Sequence, residues 1–556
     1  MPPKVLLARE SSTHPFAAPF ALVVITLCVF GQASLFEFSQ WDDWLNVIQN
    51  KHYNPPSLSN VGSVWTNLVY GTYIPLTYTV WGGLAMLTQL DTPGPLGELF
   101  NPYPFHIATI LVHVINVLLV WTLARKLIGQ AFPAFAVALI WGIHPMQAEA
   151  VAWITGLKDT LGGMFSLATI LTYLLFVDRL IERKNVAWRW FGLSTLFMAG
   201  ALLSKSTTVV VPLGIGLLVL YRTGRVLLTL PMLTWLMLVL PISILTATGR
   251  MGENGSFVWS PIWVRPMVAW DAISFYLWKL VAPFGLATDY GRQPKRVWGD
   301  ASLWWIWIIP ILALGACWLL RRRIKSAWLA PAWFVTLLLP VLGFLPFEYQ
   351  VRSTVADRYA YLAMLGPMMA GGWLLTSVPK QAARWIVTAL ALALSVLAFQ
   401  QTRVWADSES LFTRVVAITP DSSVAYHNLG LLDIARGDFL AAETHFRTAI
   451  AKDPLEWKSY ERLSDVLKEQ RRVPEARLAR AQALKLLSQL HNERDPNFAE
   501  AYFSLAQAQE TLGEREGAAD NYRRAMERNP SEEKYRAALL RLTETPATSP
   551  TSRSAE

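Results

Sequence analysis

Long apolar segments alternate with short polar segments over residues 1–400. A helix that crosses a membrane needs about 20 mostly apolar residues. The pattern predicts about eleven such spans, near residues 16–36, 104–124, 131–147, 160–177, 187–204, 207–221, 228–247, 302–320, 328–347, 358–377 and 383–400. We therefore expect residues 1–400 to form a multi-span membrane domain.

The pattern changes after residue 400, where small and aromatic residues recur at helical spacing. Tyr426, Gly430, Ala442 and Phe446 fit one 34-residue tetratricopeptide unit, in which small residues let paired helices approach. The sequence predicts repeats at 423–456, 457–490 (a weaker match, with Arg480 at the aromatic position) and 499–532, a degenerate leading repeat or linker at 401–422, and a disordered tail at 544–556. The expected fold class is all-α: a helical membrane bundle followed by a helical solenoid.

Composition agrees with a membrane protein, since 53% of the 556 residues are hydrophobic, 16% are charged and 25 are tryptophan. The net charge is +9, but the basic residues are spread over short loops, which argues against nucleic-acid binding. Cys28 and Cys317 both lie in apolar runs. A disulfide framework and a cysteine-based zinc site are therefore excluded.

Basic loops predict the orientation in the membrane, because short cytoplasmic loops are rich in Lys and Arg. Such loops fall on one side of the predicted spans, at 125–126, 179–189, 222–225, 321–325 and 380–384. The first outer loop, 37–103, and an interfacial segment, 248–301, then face outward. An odd number of spans places the repeats on the outer side of the membrane. This side is the periplasm if the membrane is a bacterial inner membrane, and the lumen if it is that of the endoplasmic reticulum.

Charged and polar residues collect at the outward ends of these spans. Asp42 and Asp43 follow the first span, and others occur at several separate span ends: His106, His113, His144, Glu149, Lys158, Asp159, Lys205, Asp289, Arg352, Asp357 and Arg358. Ionisable residues at such positions often mark functional sites.

Each of these residues also has a simpler explanation. The Asp pair could be solvated loop residues, and His113 could bond a neighbouring helix. Lys205 and Arg352 could extend towards the headgroups, and Asp357 could pair with Arg358. These explanations do not account for the gathering of acids and bases at one membrane face.

Transfer of a sugar from a lipid phosphate needs this set of groups. Cations would bind the phosphate of a polyprenyl-linked sugar as it leaves, and a carboxylate would deprotonate an acceptor hydroxyl. A nucleotide-sugar enzyme would need a cytoplasmic site and a nucleotide fold, and the sequence has no glycine-rich phosphate loop. The expected donor phosphate-binding residues are Arg358, Lys205, Arg352 and Lys158.

Seven segments, in order, resemble the transmembrane and tetratricopeptide repeat-containing O-mannosyltransferases and their bacterial relatives, which are glycosyltransferases of the GT-C superfamily. The segments are WDDWLNVIQN, YIPLTYTVW, FNPYPFHIATILVHVINVLLVW, IHPMQAEAVAWITGLKD, LLSKSTTVVVPLG, FYLWKLVAPFGLATDYG and ADRYAYLAMLG. The resemblance covers nearly the whole chain, including the repeats, and the rather short repeat array favours a bacterial relative.

The resemblance implies residue roles. The acid of the first outer loop that acts as base corresponds to Asp42 or Asp43. The other motifs place His144, Glu149, Asp289, Tyr290, Asp357 and Arg358 in the site, which His106 and Asp159 would also line. Members of this family usually have an Arg two residues before the acid that corresponds to Asp159. This chain has Leu157 at that position, and the neighbouring Lys158 is basic.

The expected reaction moves mannose or another hexose from a polyprenyl-phosphate donor to a protein hydroxyl, without a cofactor or a metal site. The repeats would bind the acceptor protein through Tyr426, Asn428, Tyr460 and Tyr502. Two alternatives stay open: a membrane-anchored scaffold without activity, and an oligosaccharide ligase that moves a whole glycan.

Overall fold

The computed structural model describes residues 16–50, 52, 56–94, 97–253, 260–321, 328–490, 498–511, 514–528 and 533–544. These residues belong to two compact units, 1–418 and 419–556. Two predicted features lie outside the described residues: most of the basic run 321–325, and the tail 544–556 apart from Glu544.

The first unit is built of helices joined by turns, 3₁₀ segments and several longer loops. In chain order they are α1 Ala17–Phe30, α2 Leu58–Gly62, α3 Pro75–Leu87, α4 Tyr103–Ile128, α5 Ala131–Gly142, α6 Ala148–Ala152, α7 Leu157–Ile181, α8 Ala187–Ser204, α9 Val211–Thr223, α10 Leu236–Glu253, α11 Arg265–Val281, α12 Pro294–Gly299, α13 Ile308–Leu320, α14 Leu329–Leu338, α15 Leu365–Leu375, α16 Lys380–Arg403 and α17 Ser408–Ile418. The described residues contain isolated β-bridges but no strand. The predicted all-α class is confirmed.

The predicted spans all contain helix, but fewer than eleven have the length and composition of a span. Seven helical segments in the described residues do, and an eighth is formed if the bent pair α5–α6 counts as one crossing. The seven are 17–35, 103–128, 154–181, 206–223, 226–246, 301–320 and 380–403. Of the other predicted spans, the one formed by α8 includes the charged Arg189, and the helical segments 329–341 and 365–375 are too short to cross a membrane.

The two ends of the bundle differ chemically. At the C-terminal end of α7, Asp178 accepts hydrogen bonds from Lys126 of α4 (2.5 Å) and from Arg222 of α9 (3.0 Å). This carboxylate therefore holds three helices together at the end where the basic loops lie. The N-terminal end of α7 carries Lys158 and Asp159, so the predicted site residues belong to the opposite end.

The second unit consists of paired helices that follow the predicted repeats. They are α18 Ser423–Ala435, α19 Phe439–Lys452, α20 Trp457–Glu469, α21 Val473–Leu490, α22 Phe498–Thr511, α23 Arg515–Arg528 and α24 Glu533–Glu544. A Cβ added at Gly430 would lie 2.9 Å from the ring of Phe446, so the first pair needs glycine there. Arg480 forms an ion pair with Glu461.

Candidate active site

The two adjacent acids of the first loop have different surroundings. Asp43 is 1% exposed, and its carboxylate accepts four hydrogen bonds. Ser39 donates to Oδ2 from its backbone N (3.1 Å) and from Oγ (2.8 Å). Thr155 donates to Oδ1 from its backbone N (3.0 Å) and from Oγ1 (2.6 Å). Burial raises the pKa of Asp43 to about 6, while these hydrogen bonds oppose the rise.

Asp42 is half-buried. The hydrogen bonds from Thr155 to its neighbour Asp43 place this part of the first loop next to the turn before α7, and the charge of Asp42 acts on Lys158 and on Arg358. Within the described residues, no side-chain hydrogen bond or ion pair occupies the carboxylate of Asp42. Asp42 is thus the acid of the pair whose lone pairs are available to another molecule.

Arg358 is buried in a pair with Glu149. Its backbone N donates to Glu149 Oε2 (2.8 Å), and its guanidinium donates to Oε1. Three rings surround the guanidinium: those of Tyr349 at 4.5 Å, Tyr359 at 4.9 Å and Trp153 at 5.3 Å from its central carbon. The suggested pairing of Arg358 with Asp357 is therefore wrong, since the packing of α6 supplies a different carboxylate.

The other three predicted phosphate-binding cations are half-buried. Lys205 forms an ion pair with Asp159 and lies 5.8 Å from the centre of the Tyr359 ring. Lys158 lies over Trp153 at 5.3 Å, and Arg352 over Trp41 at 5.2 Å. Among the described residues, Lys158 and Arg352 have no ion-pair partner.

Asp357 belongs to a second buried group. Tyr290 donates to its Oδ1 from the hydroxyl (2.8 Å), and Lys279 lies 5.7 Å from the centre of the Tyr290 ring. Burial and the nearby charge of Glu149 raise the pKa of Asp357 well above its ordinary value. Asp289 accepts from Gly291 N (2.8 Å), so its carboxylate shapes a turn.

The three histidines singled out in the sequence, His106, His113 and His144, hydrogen-bond within the bundle. His113 bonds the Tyr361 hydroxyl (2.8 Å) and the Gly142 carbonyl (2.9 Å). His144 accepts from Met146 N (3.3 Å) and lies 3.2 Å from the Leu280 carbonyl, which places the proton on Nε2. His106 Nε2 lies 3.3 Å from the Glu37 carbonyl.

The predicted acceptor-binding residues lie on the first helix of each repeat. Tyr426, Tyr460 and Tyr502 are half-buried. Asn428 is 9% exposed and donates to the Val424 carbonyl of its own helix (2.8 Å). The tyrosines present more surface to a partner than this asparagine does.

Several residues at the site were missed by sequence reasoning. Ser39 and Thr155 hold Asp43, while Tyr349 and Trp153 surround Arg358. Lone hydroxyl and aromatic residues carry no pattern that separates them from ordinary boundary residues. Leu157, at the usual Arg position, is fully buried in an apolar cluster, so a charge could not be accommodated there without rearrangement.

Two segments of the chain match known protein families. Residues 100–247 match the family model for dolichyl-phosphate-mannose-protein mannosyltransferases, and residues 499–532 match a tetratricopeptide repeat model. The first interval includes Glu149, Lys158 and Lys205.

Two curated relatives align over much of the chain. Human protein O-mannosyl-transferase TMTC1 is 23% identical over 80% of this chain and 56% of its own length. The Caenorhabditis elegans protein O-mannosyl-transferase F38B6.6 is 23% identical over 70% and 55%. The chain thus spans about half the length of these relatives, and the resemblance indicated by its motifs is confirmed.

Two solved structures show weak likeness. The crystal structure of MamA has a TM-score of 0.17 at 20% identity and covers 29% of this chain and 86% of its own. The Cut9–Hcn1 hetero-tetramer from the APC/C has a TM-score of 0.20 at 13% identity and covers 93% and 99%. Neither score supports a structural conclusion.

Proposed function

We propose that this chain is a membrane glycosyltransferase that moves a hexose, such as mannose, from a polyprenyl-phosphate donor to a hydroxyl of a protein. One observation carries the proposal: Asp42 is a half-buried carboxylate with no side-chain partner among the described residues, and the bonds of its neighbour Asp43 to Thr155 bring it beside the turn that leads to Lys158. The match of residues 100–247 to a family that uses such a donor supports it.

In the proposed reaction, Asp42 accepts the proton of the acceptor hydroxyl as its oxygen attacks C1 of the sugar. The bond between C1 and the phosphate oxygen breaks, and polyprenyl phosphate leaves with the bonding electrons. Lys158 and Arg352 stabilise the charge that develops on this phosphate, with Lys205 beside them. Arg358, already neutralised by Glu149, keeps the surrounding rings in place.

The outward orientation of this site is part of the proposal. The site residues belong to the end of α7 opposite Asp178, where Lys126 and Arg222 meet. Helix ends rich in Lys and Arg favour the cytoplasmic side. The opposite end, with Asp42 and Lys158, would therefore face the periplasm or lumen. The repeats would bind the acceptor protein there.

A transfer assay tests the function directly. Membranes that contain the chain are incubated with polyprenyl-phosphate mannose or polyprenyl-phosphate glucose, and membrane proteins are examined by mass spectrometry. We expect hexose-sized mass gains on serine or threonine in the presence of the chain, and none in membranes without it. If no donor yields such gains, the chain is not this transferase.

Lys158→Gln is expected to lower kcat/KM for the lipid donor by about 10- to 100-fold, since a charge-assisted bond is worth about 1.5–3 kcal/mol. Gln keeps much of the length and polarity but removes the charge. Lys184→Gln is the matched control, because Lys184 is exposed and pairs with Glu182. An unchanged kcat/KM for the donor in the Lys158 variant would contradict the phosphate contact.

A further inference from the structure

Asp43 connects two segments that are far apart in the chain. One oxygen of its carboxylate accepts both donors of Ser39, in the first loop, and the other accepts both donors of Thr155, in the turn before α7. Each oxygen therefore has two donors, as a carboxylate can accommodate. We call Ser39, Asp43 and Thr155 the loop clamp.

The loop clamp lies directly beside the two groups assigned to the reaction. Asp42 precedes Asp43, and Lys158 follows Thr155 by three residues, on the first turn of α7. The turn that carries Thr155 has little room, because a Cβ added at Gly156 would lie 2.5 Å from the Ala150 carbonyl oxygen. A shift of Thr155 would therefore also displace Lys158, because the turn between them is tightly packed.

We propose that Thr155 is a positioning residue, which acts through Asp43 to hold Asp42 at a set distance from Lys158. This inference rests on the proposed function, since it concerns the geometry of that site. A base and a phosphate contact must face the same donor and acceptor, and a displacement of about 1 Å can cost about 10²-fold in rate. The shortest of the four clamp bonds is the one from Thr155 Oγ1, at 2.6 Å.

The hydroxyl of Thr155 also helps to keep Asp43 ionised. Burial raises the pKa of Asp43 to about 6, and the hydrogen bonds from Thr155 and Ser39 limit that rise. Without the Thr155 hydroxyl, the pKa of Asp43 would rise further. Of the three neighbours that would remain, a protonated Asp43 could donate only to Ser39 Oγ, because the other two are backbone N–H groups that cannot accept a hydrogen bond.

Thr155→Val and Thr155→Ser test the proposal in the full chain. Val keeps the shape and removes the hydroxyl, whereas Ser keeps the hydroxyl. We expect Val to lower kcat by about 10²-fold with the donor KM within about twofold of wild type, and Ser to restore most of kcat. Thr169→Val is the control, because the Thr169 hydroxyl donates only within α7, to the Phe165 carbonyl (2.7 Å).

Hydrogen exchange supplies a readout that does not depend on transfer. Backbone amides of residues 39–50 should exchange faster in Thr155→Val than in wild type or Thr155→Ser. Wild-type kcat in the Val variant, or equal loss in Val and Ser, would overturn the positioning role. If the wild-type chain transfers no sugar, the proposed function fails, and unchanged exchange in the Val variant would reject the loop clamp separately.

Discussion

The Asp42→Asn variant is expected to transfer sugar about 10²- to 10⁴-fold more slowly than the wild-type chain, the usual contribution of a general base. Asparagine keeps the size of the side chain and removes its basicity. The loss should fall on kcat, because the proposed donor contacts come from Lys158 and Arg352. Initial rates at several donor concentrations, together with donor binding to the purified variant, measure this.

Another acid of the first loop, Asp91, provides the control for Asp42. Asp91 is exposed, so Asp91→Asn should leave the transfer rate unchanged. Asp43→Asn should also reduce transfer, but by loosening the first loop. The Nδ2 of the new amide is itself a donor, and it would face N–H groups that now donate to Asp43. Full activity in Asp42→Asn would show that Asp42 is a solvated loop residue and not the general base.

Arg358→Ala is expected to lower the free energy of unfolding by about 3–5 kcal/mol, because it leaves the buried carboxylate of Glu149 without its counter-ion. Among the described residues, Glu149 would then keep one hydrogen bond, from the backbone N of residue 358 (2.8 Å). The rings of Tyr349, Tyr359 and Trp153 would also lose their central cation. Titration of the purified protein with SDS measures the change.

Two further variants separate the buried charge from other effects. Adding Glu149→Gln to Arg358→Ala should recover part of the loss, since a neutral amide costs less to bury than a carboxylate. Arg179→Ala breaks an exposed pair with Glu182 and should leave the free energy of unfolding nearly unchanged, because water screens such pairs. If Arg358→Ala unfolds like the wild type but needs more donor, Arg358 contacts the donor phosphate instead.

Part of the candidate site could be predicted from sequence because charges at the ends of apolar helices are conspicuous. Glu149, Lys158 and Arg358 were found in this way. Their pairing was not, because Glu149 and Arg358 are 209 residues apart and meet only when α6 packs beside the turn before α15. The expected role of Arg358 in binding the donor phosphate stays a prediction. Among the described residues, Lys158 and Arg352 have fewer protein partners that would compete with the phosphate for their charge.

The sequence by itself determined the all-α class, the apolar helices and the repeat pattern. Apolar length and helical spacing are local properties, and each of these features follows from neighbouring residues along the chain.

Only the tertiary structure decided which acid of the first loop is occupied. Asp42 and Asp43 are chemically identical and adjacent, so no local pattern distinguishes them. The difference arises because Thr155, 112 residues from Asp43, supplies two donors to one carboxylate and none to the other. Hydrogen bonds between distant segments depend on how helices pack, and packing is a property of the whole bundle rather than of any one stretch.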